Sequence, residues 1–468
     1  MPSFIECRTM SLTLDRPRRW SSHTSFVLVT VGAMVNLSGF WRLPHLIHTA
    51  GGSAFVAVYV ACSVIIGVPL VAAQLLLVRG RNLDIPGVVA AVTRRFRLAA
   101  AWRGLANVML VVLVGLLSIY AVVAAWSLAF AVRGLAGVLP RHSASAAAAY
   151  FAKFLSDSGR GWGWIVVLIA GLAVIAAVGL QRGVSSVART LVAVVTLGLI
   201  LVLVAAFIWD DPGPILASLV AFQPGELSWS TAIAALAQVV FGLGLGSGIL
   251  LALGSYLPER APVLRLAVGV VAGQVVVSLA AGAAVAFVVG SPSLARLDSL
   301  QQLFVLIPTH GGGRGIAAVV LVALAAAALT TAVAFFEPLV LYLERRLDCT
   351  RALASVITAL VILVVSGVVL LSYGPLSVWP GVDRHWFSRM IWLIGGIFLP
   401  VGALWLAIVS IGAVEQRLDD PHLSPRKRLS LRVWLGLLRV PALLALLIVL
   451  AKTSGLLAWA RVLWGAFL

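Results

Sequence analysis

Apolar residues run along this chain in stretches of roughly 20 or more, each long enough to cross a ~30 Å hydrocarbon core as a helix, with polar residues gathered between them. The pattern predicts helices over 24–47, 54–78, 103–133, 162–180, 186–209, 230–256, 264–290, 315–344, 352–373, 386–412 and 433–452. No intervening loop is long enough for a soluble domain, and the partly apolar segment from Ser291 to Gly313 is expected to fold back over the protein. The expected fold class is an all-α integral membrane protein of about eleven spans.

Two of these stretches are interrupted where a plain anchoring helix would run on. Span 1 reads GAMVNLSGFWRLP, which places Asn36, Ser38, Gly39, Arg42 and Pro44 near its middle and outer half. Span 6 reads VVFGLGLGSGILLALGSY, with Gly242, Gly244, Gly246 and Gly248 at alternate positions. Each glycine costs a helix roughly 1 kcal/mol relative to alanine. Unwound backbone at membrane depth survives only where it lines protein or a cavity, because every freed amide and carbonyl needs a partner. One break opens the first five spans and the other opens the next five, the arrangement of an inverted-repeat carrier with its site near the midplane. Close packing through small residues is the plainer alternative for either break alone.

Composition narrows the class further. Of 468 residues, 62% are hydrophobic and 11% charged, with a mean hydropathy of +1.09. Soluble domains carry about 25% charged residues, so a soluble enzyme is excluded. The 34 Lys and Arg exceed the 16 Asp and Glu to give +18, and their placement marks topology rather than a nucleic-acid groove. Arg16, Arg18 and Arg19 precede span 1, a cluster from Arg79 to Arg103 follows span 2, and Arg426, Lys427 and Arg428 precede the last span. This asymmetry predicts a cytoplasmic amino terminus and, with an odd number of spans, a carboxyl terminus on the outside. Cys7, Cys62 and Cys349 are not expected to form a disulfide. The spans hold no nucleophile with a nearby base, so no enzyme is expected, and the partners are a lipid bilayer and a small molecule rather than nucleic acid.

In the order and spacing of several motifs the chain resembles the neurotransmitter:sodium symporter family, and within it the bacterial leucine-transporter-like members. The motifs are NLSGFWRLP followed by Gly51, Gly52, Ala54 and Phe55; GVPL at Gly67 to Leu70; Tyr120 and Trp126 in span 3; the glycine-rich break of span 6; and ALTTAVAFFEP in span 8. The resemblance implies a LeuT-like fold of two inverted five-helix repeats plus one extra helix. Its divisions would be a cytoplasmic segment 1–22, repeats at 23–210 and 211–415, and a cytoplasmic loop with the last span at 416–468. It also implies a multi-pass protein of a bacterial inner membrane that imports a small zwitterionic substrate with sodium. A proton-coupled carrier of the same fold, or a non-transporting sensor or scaffold, stays open beside that expectation, as does the oligomeric state.

The resemblance places candidate residues. Sodium is a hard ion that wants oxygen ligands, and these would be carbonyls of Gly32, Val35 and Ala327 with the hydroxyls of Thr330 and Thr331. Ala327 stands one turn before the two threonines, so the three can converge on one side of the helix. The alternative is that both threonines bond back to preceding carbonyls. The family's second ion site falls on Ala33, Gly39 and Gly242, none with a side-chain oxygen, and on Gln274, so one Na+ is expected. For the substrate, the Tyr120 hydroxyl and the amides of Leu37 and Ser38 would hold a carboxylate, and Phe241 would close over it. Asn36, Leu116, Gly244, Ser247, Thr331 and Phe335 would form floor and walls. Read alone, Tyr120 is better explained as an interfacial or packing residue, and its place opposite the two breaks is what makes it a candidate. Asn36 cannot balance a lone ammonium, which favours a zwitterion, while Gly244 and Ser247 replace bulkier residues and point to a larger apolar or aromatic amino acid. The gates would use Trp20 on the inside and Arg42 on the outside. Their acidic partners are displaced from the family positions, to Glu344 and Asp383 respectively. Glu337 is a proton carrier or a structural hydrogen-bond acceptor.

Overall fold

A chain surrounded by hydrocarbon must pair its backbone amides and carbonyls internally, and a helix does this along each segment. The computed structural model describes residues 19–34, 37–93, 99–140, 143–209, 227–290, 300–310, 314–373, 386–418 and 424–455, with Gly213, Gly225, Ser293 and Leu294 between them. All regular structure among these is helical. Nine helices in the described residues are long and apolar enough to cross a membrane: Gly52–Val78, Gly104–Leu135, Gly159–Val178, Leu180–Ile208, Val263–Val289, Gly315–Arg346, Arg351–Leu371, Trp386–Glu415 and Arg428–Thr453. They occupy the predicted positions of spans 2 to 5 and 7 to 11. Two shorter apolar helices, His23–Met34 and Trp229–Gly242, stand where spans 1 and 6 are expected.

Both interruptions are present. Span 1 stops at Met34 and resumes over Arg42–Thr49, and span 6 stops at Gly242 and resumes over Ile249–Ser255. In the second break Gly246 has φ +90°, and a Cβ there would lie 2.2 Å from the Leu399 carbonyl and 2.4 Å from the Ala403 amide of span 10. Only glycine lets the two backbones meet this closely. The turn satisfies its own polar groups: Leu245 N donates to Val240 O at 3.1 Å, and the Ser247 hydroxyl donates to Gly244 O at 2.7 Å while accepting from Ile249 N at 3.3 Å.

Span 8 (Arg314–Arg346) runs through the middle of the bundle and packs on spans 1, 3, 5 and 9. Bulky apolar side chains remain exposed on the peripheral helices, among them Val167, Leu201, Val364 and Leu447, as expected of surfaces that face lipid. Two helices outside the spans were not evident in the periodicity. Ala144–Ser156, capped by Ser143, and the short Ile85–Thr93 lie at opposite ends of span 3. The expected fold-back holds for Leu303–His310, whose Phe304 stacks on Phe151 with centroids 5.4 Å apart and also packs on Trp126 and Phe130. Cys62 and Cys349 are free thiols.

Candidate functional site: a cavity between two broken helices

The break of span 1 faces span 3 and the end of the first half of span 6 across a cavity of about 30 Å³, enough for ordered water. Its walls include five expected residues, Leu37, Ser38, Leu116, Tyr120 and Phe241. Trp41, Ile119, Ile391, Ile394 and Gly395 complete the lining and were not anticipated. The Tyr120 ring meets Phe335 edge-on at 5.6 Å, and its hydroxyl has no hydrogen-bond partner among the described residues. Gly244, Ser247, Thr331 and Phe335 do not line this cavity: the Ser247 hydroxyl closes the turn at Gly244, and Thr331 turns toward span 1. Neither Gly244 nor Ser247 therefore widens it in this arrangement. Asn36 lies outside the described residues, as does Val35.

Phe241 forms one wall. The Arg42 guanidinium lies 5.1 Å from its ring centroid, a cation–π contact. A Cβ on Gly395 would come within 2.7 Å of the Phe241 ring, so span 10 presses directly on that side chain. Gly395 belongs to the π-helical turn Trp392–Phe398. Asp383, the expected acidic partner of Arg42, lies outside the described residues.

Three of the expected sodium ligands meet between spans 1 and 8. The Thr331 hydroxyl lies 3.5 Å from Gly32 O and 3.2 Å from Ala327 O, so oxygens of three candidate residues cluster around one point. Thr330 is as close in space but turned: its hydroxyl donates to Ala326 O at 2.7 Å, and its methyl would collide at 2.4 Å with any Cβ on Gly32. Glycine at position 32 is what allows spans 1 and 8 to approach this closely.

At Gly39 Ser278 fills the space, and at Gly242 Gln274 does. Its Nε2 would lie 2.9 Å from a Cβ on Gly242 and donates to the Ser278 hydroxyl at 3.0 Å, while Tyr59 donates to its Oε1 at 3.1 Å. A neutral carboxamide with an N–H group directed here takes the room beside Gly242 and presents hydrogens rather than lone pairs.

The end of the bundle at Trp20 is closed by contacts the sequence did not display. Trp20 is buried, its Nε1 donates to Leu253 O at 2.8 Å, and its ring packs edge-on against Phe26 and Tyr256. Tyr256, just past the second half of span 6, donates to Glu337 Oε1 at 2.8 Å. Glu337 is fully buried and paired with both Nη atoms of Arg351, at 2.5 and 3.2 Å. Arg351 also reaches Ala176 O at 2.6 Å and Glu344 at 3.8 Å. Glu344 thus meets an arginine of span 9, and the neighbouring Arg345 donates to Asn82 O in the loop before Ile85–Thr93. In that loop, burial pushes the Asp84 carboxyl up, with the Arg345 charge pulling the other way.

Residues 17–153 match the family model described as the sodium:neurotransmitter symporter family. Over 458 residues the chain is 26% identical to the uncharacterized sodium-dependent transporter YhdH of Bacillus subtilis, covering 95% of this chain and 99% of the relative. A shorter stretch of 58 residues, 12% of this chain and 8% of the relative, is 40% identical to the mouse sodium-dependent neutral amino acid transporter SLC6A17. The fold is similar to the crystal structure of MhsT in complex with L-phenylalanine, with a TM-score of 0.78 and 25% identity over 93% of this chain and 99% of that one.

Proposed function

The chain belongs to the sodium:neurotransmitter symporter family, and from that premise we propose that it imports a small zwitterionic amino acid together with sodium by alternating access. The observation that carries this reading is the meeting of Gly32, Ala327 and Thr331 between a broken helix and the central span. A cation held there draws span 1 onto span 8 and so favours one arrangement of the bundle over another. Such a preference is what couples an ion gradient to a conformational cycle. The ion is completed by Val35 and Thr330. The substrate carboxylate is held by Tyr120 and the amides of Leu37 and Ser38, with Asn36, Leu116 and Phe241 around it and Gly244, Ser247, Thr331 and Phe335 in support. An apolar or aromatic side chain suits the apolar lining of Ile119, Ile391 and Ile394, and the similar MhsT was solved with L-phenylalanine.

The finer features belong to the same proposal. Eleven spans form two inverted repeats, 23–210 and 211–415, preceded by a segment 1–22 and followed by a loop and last span in 416–468. The amino terminus is cytoplasmic and the carboxyl terminus outside, in a bacterial inner membrane. One sodium moves per substrate, because Gln274 fills the second position. Arg42 with Asp383 outside, and Trp20 with Glu344 inside, act at the gates. The attachment of Glu337 to Arg351 and Tyr256 suits a structural carboxylate better than a mobile proton carrier. Uptake by the purified chain in proteoliposomes, over an amino-acid panel with sodium or potassium, tests the reading. Sodium-dependent accumulation with a reversal potential fitting one ion per substrate is expected. Uptake that follows pH and ignores sodium would overturn the coupling, and a ratio of two would overturn the single site.

A further inference from the structure

Away from the transport site, spans 3, 8 and 9 enclose a groove of about 270 Å³ that opens sideways out of the bundle. Buried Leu110, Leu339 and Ile362 form its floor, and its rims are Val111 and Val361, 71% and 42% exposed toward the surrounding hydrocarbon. Two and a half helical turns separate Val111 from Tyr120, which sets the groove on the face of span 3 opposite the cavity. The transport reading makes no use of it.

The groove is not uniformly apolar. Asn107 from span 3 and Tyr342 from span 8 both line it, and neither side chain hydrogen-bonds to another described residue. An amide and a phenol left unpaired at the edge of hydrocarbon are costly, so they call for a ligand that offers acceptors. Beyond them lies a positive charge. Leu339, Tyr342, Leu343 and Arg346 follow one another at helical spacing along one face of span 8, and Arg346 is exposed with no ion pair among the described residues. The sequence of environments is therefore an apolar slot, then two hydrogen-bond donors, then a cation, at the end of the bundle where basic residues gather.

We propose that this groove binds one anionic glycerophospholipid of the leaflet on the basic side. An acyl chain fills the slot, Asn107 and Tyr342 donate to the ester and phosphate oxygens, and Arg346 faces the headgroup charge. The lipid then braces span 3, which carries Tyr120, against span 8, which carries Thr331. The selectivity is for anionic over zwitterionic headgroups, because only Arg346 and its basic surroundings distinguish them.

Native mass spectrometry of the delipidated full chain, titrated with phosphatidylglycerol or phosphatidylcholine of the same acyl chains, tests this. The expected result is a first phosphatidylglycerol adduct that saturates at one per chain, about tenfold tighter than phosphatidylcholine. Arg346→Gln should remove most of that preference, and Val361→Trp, which fills the slot from span 9, should remove the adduct with either lipid. Sodium-dependent melting of both variants should stay as in the parent chain. If Val361→Trp does not melt like the parent, Asn107→Leu takes its place and should weaken the first adduct about tenfold. Equal binding of the two lipids, adducts that grow without a saturating first step, or an adduct untouched by these substitutions would reduce the groove to annular lipid and overturn the proposal. So would a lipid-free dimer in place of the lipid-bearing monomer.

Discussion

Replacing Tyr256 with Phe should open the inner side of this carrier. Tyr256 lies just past span 6 and Glu337 sits in span 8, so their 2.8 Å hydrogen bond ties the two spans, and any opening that carries the second half of span 6 away from span 8 must break it. The substitution leaves the ring against Trp20 and leaves the Trp20 bond to Leu253 O in place. It also leaves Glu337 paired with Arg351, so no buried charge is orphaned and the loss is confined to one hydrogen bond to a charged acceptor. Such a bond is worth about 1.5–3 kcal/mol, which shifts the inner-closed to inner-open ratio about 10-fold to 150-fold. Thr30 offers the reporter: it is fully buried in span 1, and its hydroxyl has no partner among the described residues, so Thr30→Cys disturbs little. In a chain whose native cysteines are replaced, thiol labelling at position 30 in the absence of sodium should quicken at least tenfold on adding Tyr256→Phe, and sodium should slow it again. A rate within twofold of the parent would refute the role given to the Tyr256–Glu337 bond.

Thr330→Val with Thr331→Val keeps the shape of span 8 while deleting two oxygens, so sodium-dependent thermal stabilisation should vanish; a retained response would sink the ion assignment. Tyr120→Phe removes a donor to the substrate carboxylate, worth about 1.5–3 kcal/mol or about 10-fold to 150-fold in affinity, to be read by equilibrium binding of the transported amino acid. Unchanged affinity would return Tyr120 to the packing role it fills against Phe335.

The spans and both breaks were legible because their signals are local. A run such as 186–209 is read directly as the helix Ser186–Trp209, and glycines at alternate positions mark where span 6 cannot stay helical. The walls contributed by span 10 were not legible for a geometric reason. Trp392–Phe398 is a π turn, which carries an extra residue and rotates the following face away from the one a 3.6-residue period assigns. Ile394 and Gly395 therefore reach the cavity from positions that a regular helix does not single out. The inner closure was hidden by distance along the chain: Tyr256 and Glu337 are 81 residues apart, and Arg351 reaches Glu337 only because Leu347 to Thr350 turn span 9 back against span 8. Gly244 and Ser247 were expected in the cavity wall because a sequence says that a helix breaks there, but not which way the unwound turn faces.

Gln274 has the largest consequence for energetics. A sodium ion at the second position would be a mobile charge, taken up and released with every turnover, whereas a carboxamide tethered to span 7 stays behind. A tenfold sodium gradient supplies about 1.4 kcal/mol and a 100 mV potential about 2.3 more, so one ion moving with a zwitterion supports roughly 500-fold accumulation. A second ion would square that ratio. The same substitution changes what meets the substrate carboxylate. Under the single-site proposal the negative charge would depend on the Tyr120 hydroxyl and the amides that begin the outer half of span 1, whose dipole contribution fades within a turn. Affinity in a carrier so built would rest on hydrogen-bond geometry in a water-poor cavity, and sodium would act on it only from a distance, through the position of span 1 against span 8.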